Sequence, residues 1–171
     1  MDIFEARASA TRDPGSSDRR TARWWVLTLG GGAAFWLTNL AISMTPIAAE
    51  YRSTLSIPYV PMLLEAAVGG LVIAGAISVL LTRFPSRVPG SGPLPKAVLL
   101  AVGALVLLTV LVELPTKLGS ELAEPGRWLL VALVFNTIRF LALGLTIGLI
   151  ARARATRQHR HHEVTRRKAH A

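Results

Sequence analysis

The sequence predicts an all-α membrane protein: a four-transmembrane-helix bundle with both chain ends on the cytoplasmic side and disordered basic tails. Three observations predict it. Four apolar runs, each about 20 residues or longer, are separated by short polar stretches, and about 20 helical residues cross a hydrocarbon core roughly 30 Å thick. The 171 residues are 51% hydrophobic and only 17% charged, where a soluble domain carries about 25%. The positive charge is also sorted: with four spans, one side collects fifteen Lys and Arg residues and the other three, with Arg139 alone inside a span. The positive-inside rule places the richer side, which holds both termini, in the cytoplasm of a cell whose inner membrane carries the protein.

The elements follow in order. Residues 1–22 are polar and broken by Pro14-Gly15, and read as a disordered tail. The membrane domain covers 23–150. Span one is expected at 24–49, with Trp24 and Trp25 at the inner interface; the run is long for the apolar core of a cleaved leader. A loop through Glu50, Tyr51 and Arg52 leads to Pro58 and Pro61, and Pro61 suits the first turn of span two, 61–82. A Pro- and Gly-rich connector precedes span three, 94–114. The loop 116–127 precedes span four, 128–150. The tail 151–171 continues helix four briefly and then frays.

Helices gain no hydrophobic drive from one another in lipid, so small residues that permit close approach mark the seams. Span two carries Ala66, Gly70, Ala74 and Ser78 along one ridge. Span four carries Gly144 and Gly148, and span one carries Gly30 and Gly31. A homodimer face through the Gly144–Gly148 pair is a secondary expectation.

The chemistry-bearing positions are few. Arg139 lies about 16 Å below the outer edge of span four, Asn136 about 12 Å, Asn39 about 15 Å and Glu65 about 6 Å, at 1.5 Å per residue. A guanidinium at that depth faces protein, water or a counter-charge. The expected arrangement is an Arg139–Glu65 ion pair flanked by Asn39 and Asn136, with Thr38, Ser43 and Thr137 completing its hydrogen bonds. Glu113 is expected to be a solvated interfacial carboxylate paired with Lys117 four residues later. The fourteen Leu, Ile, Val and Phe residues of span four each favour insertion by roughly 0.3–0.6 kcal/mol, which outweighs about 3 kcal/mol for a central Arg. Arg139 is therefore tolerable without any ligand, and the pair can serve packing or binding.

With no cysteine in the chain, disulfides, thiolate metal sites and cysteine nucleophiles are excluded. The spans hold no histidine and no paired carboxylates at matched depth, and no nucleotide or hydrolase fingerprint is present. His159, His161, His162 and His170 sit in the basic tail, where Arg neighbours repel cations. No metal and no cofactor is expected. The net charge of +9 reads as topogenic and as affinity of the tails for anionic lipid head groups, not for nucleic acid. The expected partners are the bilayer, those head groups, and a protein partner or second copy. Three functional readings follow: a non-enzymatic accessory subunit of a membrane assembly, a small carrier or channel using the Arg139/Glu65 site, and a lipid-modifying enzyme.

Overall fold

The computed structural model describes the backbone of residues 14–119, 122 and 124–169, and side-chain surroundings between 21 and 157 within that set. Six α-helices run through it: α1 (Pro14–Ser43), α2 (Pro46–Thr54), α3 (Tyr59–Arg83), α4 (Pro93–Leu108), α5 (Leu114–Leu118) and α6 (Pro125–Ala169). A π-helical stretch, Thr109–Glu113, joins α4 to α5 without a break. No strand occurs among the described residues. Four stretches are long and apolar enough to cross a membrane: Thr21–Ser43, Tyr59–Arg83, Pro93–Leu118 and Pro125–Arg157. The protein is thus built as a multi-pass membrane protein. The end that holds the start of α1, the α3–α4 connection and the last turns of α6 is the proximal end; α2 and α5 lie at the distal end.

Three boundaries differ from expectation. Residues 14–22, expected in the disordered tail, continue α1 as helix, while residues 1–13 lie outside the described residues. Span one stops at Ser43 and not at Ala49. Pro46 lacks an N–H and disfavours helix at the residue before it. Thr45 accordingly takes an extended conformation, and its hydroxyl accepts from the Ala48 N–H as an N-cap for α2. The third difference is the tail, which carries α6 on to Ala169 where fraying was expected. Its four histidines lie beyond the residues whose side chains are described.

The close-packed pairs are α1 with α3, α1 with α6, and α4 with α6, whereas α3 meets α4 and α6 only sparsely. The helices therefore run in the order α3, α1, α6, α4, and the row is not closed into a ring. Glycines set the spacing. A Cβ on Gly70 would stand 2.8 Å from Phe35, one on Gly31 2.7 Å from Ile147, and one on Gly148 2.8 Å from the Leu94 Cα. The expected ridge on span two is realised in part, with Gly70, Ala74 and Ser78 buried. Around these contacts Leu27, Phe35, Ile77, Phe140, Leu143 and Ile147 form the main core. Phe35 and Phe140 meet edge to face at 5.6 Å, a geometry that contributes about 0.5–1.5 kcal/mol beyond burial. Trp24 and Trp36 donate indole N–H bonds to the carbonyls of Gly75 and Leu63, tying α1 to α3 at two heights.

Candidate functional site

The polar centre of the molecule is assembled at the distal end by α6, α5 and the π-helical stretch. Ala97, Ala101 and Leu105 face α6 at four-residue spacing and are buried. In an α-helix each such step drifts about 40° around the axis. The wider turn at Thr109–Glu113 offsets that drift, so Glu113 and Lys117 stay on the seam against α6. Asn136 and Arg139, three residues apart on α6, share the facing side.

A chain of hydrogen bonds links these elements. Asn136 Nδ2 donates to Glu113 Oε1 at 2.9 Å, and Arg139 Nη1 donates to Asn136 Oδ1 at 3.1 Å. Lys117 Nζ lies 4.0 Å from Glu113 Oε2. Asn136 is 4% exposed and Lys117 8%. Aromatic rings wall the cluster: the Arg139 guanidinium sits 5.9 Å from the Phe135 ring, Lys117 Nζ 5.1 Å from the Tyr51 ring, and Tyr51 packs edge to face on Trp128 and Phe135. Burial pushes the Tyr51 hydroxyl above the ordinary tyrosine range, and a hydrogen bond with Lys117 opposes the shift. Within the cluster, one carboxylate faces two cations. Arg139 Nε is buried with no hydrogen-bond partner.

The structure does not bring Arg139 and Glu65 together. Glu65 is exposed on α3, and no Arg139–Glu65 ion pair forms. The physical reason is helix order: α1 stands between α3 and α6, so snorkelling from α6 leads Arg139 toward α5 instead. Glu113, expected to be solvated, is instead bonded to Asn136, and it and Lys117 are both largely shielded. Asn39 is 1% exposed, and neither side-chain polar atom has a partner. It lies between Phe35, which meets Phe140, and Ile42, which packs with Phe135, and is therefore level with Asn136 and Arg139. Ser43 bonds the Leu40 carbonyl and the Tyr59 hydroxyl, and Thr137 bonds the Leu133 carbonyl; neither reaches Arg139.

Tyr51, Trp128 and Phe135 were not among the candidate site residues. The signal that could have found the α5 side is the continued spacing of four from Ala97 through Leu105 to Glu113 and Lys117. Outside the cluster, Arg127 reaches Glu50 at 2.9 Å and Glu124 at 3.3 Å. These groups are exposed, so the rim network adds little stability. Comparison with protein-family models, curated proteins and solved structures gives no match.

Proposed function

We propose that this is a non-enzymatic multi-pass protein of the cytoplasmic membrane, with both ends in the cytoplasm, whose distal polar cluster recognises an acidic group as a small carrier or binding component. One observation carries the reading. The Arg139 charge sits within a span, its hydrogen bond goes to the neutral Asn136 side chain, and its Nε is buried without a partner. A guanidinium that served only to fix helix register would be expected against a carboxylate, because an uncompensated buried charge is costly. An incoming carboxylate or phosphate would supply the missing partner in the bidentate geometry a guanidinium favours. The excess of Lys and Arg at the proximal end supports the cytoplasmic placement of both ends.

The test is thermal unfolding of the purified protein in detergent with acetate, succinate or inorganic phosphate. An anion at a hundred times its Kd stabilises the fold by about 2.7 kcal/mol. The expected result is a rise in Tm with at least one of these anions that disappears in Arg139→Gln. If none of these anions raises the Tm of the parent chain, the reading fails, and destabilisation by Arg139→Gln then marks the cluster as packing material.

A further inference from the structure

The proximal end holds a second cationic site, remote from the distal cluster. A pocket of about 240 Å³ is lined by Arg23 from α1, Lys96 from α4, Gly90 and Ser91 from the α3–α4 connection, and Leu81 and Ala151. Arg23 Nε is buried without a partner. Lys96 Nζ donates to the Pro85 carbonyl. Among the described residues no acidic side chain lines the pocket. The α4 N-terminus opens beside it at Gly92 and Pro93, where the helix dipole adds positive potential. Pro93 and Pro95 carry no N–H, and the Lys96 N–H is bonded to the Gly92 carbonyl, so the donors of the pocket are the Arg23 and Lys96 side chains. Two cations, an orphaned donor and no counter-charge define a place for an anion.

A long apolar cleft begins within one turn of that pocket. It has a volume of about 550 Å³, runs where α3 and α4 fail to close, and has Phe140 in its lining. Leu80 and Leu99 line its proximal part, adjacent in the chain to Leu81 and one turn from Lys96; Leu111 and Val112 line its distal part. From Leu99 to Leu111 the helix rises about 18 Å, comparable to the roughly 15 Å that one leaflet contributes to the core. Polar site and apolar channel are thus stacked in the order, and over the length, of a lipid.

We infer that the protein binds one anionic phospholipid of the proximal leaflet, its phosphate held by the side chains of Arg23 and Lys96, with an acyl chain in the α3–α4 cleft. The lipid would close the row of helices that the protein leaves open. Charge complementarity selects the head group, and an apolar cleft that starts within one helical turn of the pocket selects a lipid over a free anion.

Native mass spectrometry of the purified chain, incubated with phosphatidylglycerol or with phosphatidylcholine of the same chains, tests this. One phosphatidylglycerol is expected to remain bound, and the double variant Arg23→Gln/Lys96→Gln should lose preference for it over phosphatidylcholine by about tenfold or more, from roughly 1 kcal/mol per basic residue. Gly103→Phe fills the cleft at a position where a Cβ meets nothing within 4 Å, so it should fold and yet weaken retention of both lipids. That arm remains decisive should the double variant fail to fold. The inference is overturned by equal retention of the two lipids, by inorganic phosphate displacing phosphatidylglycerol as well as the lipid displaces itself, by unchanged retention in Gly103→Phe, or by a Gly103→Cys chain forming disulfide-linked dimers through a cleft occupied by a second copy.

Discussion

Asn136 bridges Glu113 and Arg139. Its amide nitrogen donates to the carboxylate at 2.9 Å while its oxygen accepts from the guanidinium at 3.1 Å. Reversing the amide would set donor against donor and acceptor against acceptor, so the two charged groups fix its orientation. Asn136→Leu leaves both without this partner in a shielded site and should destabilise the protein by about 1–3 kcal/mol, read from unfolding in detergent. Asn136→Asp places a second carboxylate against Glu113. It should also destabilise, and Glu113→Gln in the same chain should restore most of the loss, because the glutamine amide can donate where Asn136 did. Failure of that rescue would mean the bridge does not govern stability.

The helix order separates Glu65 from Arg139. Glu65→Gln should change stability by no more than about 0.5 kcal/mol, as for other exposed positions without a partner. The charge swap Arg139→Glu/Glu65→Arg should be no more stable than Arg139→Glu alone. Rescue by the swap, measured by yield of folded protein and Tm, would place the two residues together after all.

Glycines of identical type have opposite roles. At Gly148 a Cβ would stand 2.8 Å from the Leu94 Cα and 3.2 Å from its carbonyl oxygen; backbone cannot rotate away, so Gly148→Ala should cost about 1–3 kcal/mol. At Gly103 nothing lies within 4 Å, and Gly103→Ala should be neutral or stabilise by up to about 1 kcal/mol through helix propensity. Paired unfolding measurements on the two variants check the sign.

Tyr51 lies in α2, outside the spans, and burial raises its pKa above the ordinary value. A raised acid pKa means the folded state holds its proton more tightly than the unfolded chain. The associated stability is fully present below the unfolded tyrosine pKa of about 10 and is lost as pH rises through the folded value. The difference in phenolate absorbance between the parent chain and Tyr51→Phe should therefore show a midpoint above about 10. A midpoint at or below that value would contradict the buried placement.

The absence of cysteine makes orientation directly measurable. Ser53→Cys, in α2, should react with a membrane-impermeant maleimide on intact cells, and Ser86→Cys, in the α3–α4 connection, only after permeabilisation. The reverse pattern would invert the proposed topology.

Four spans were legible because length and hydropathy are local properties. The break after Ser43 was half legible: Pro46 was visible in the sequence, but an apolar run on either side of it concealed that α2 turns away as a separate element. The site was less legible. Depth along each helix correctly brings Asn136, Arg139 and Asn39 to one level, since rise per residue is fixed. Which neighbour each faces depends on the order of helices, and that order is set by Gly31, Gly70, Gly144 and Gly148 acting together. Glu65 lies on the far side of α1 from Arg139. Glu113 reads as solvated in the sequence because it stands at the outer end of span three with Lys117 four residues on; the π-helical stretch instead keeps it on the seam against α6.

That stretch divides span three into two pieces with separate angular settings. The stem, through Leu105, is indexed by its contacts with α6; the head, from Glu113 onward, is indexed by the width of a single turn. Removing one residue between Thr109 and Val112 would leave the stem seated while swinging the carboxylate and ammonium out toward lipid, much as one slipped tooth mistimes half of a gear train. The aim of the polar head is in this way set by one turn of backbone, separately from the contacts that seat the wall beneath it.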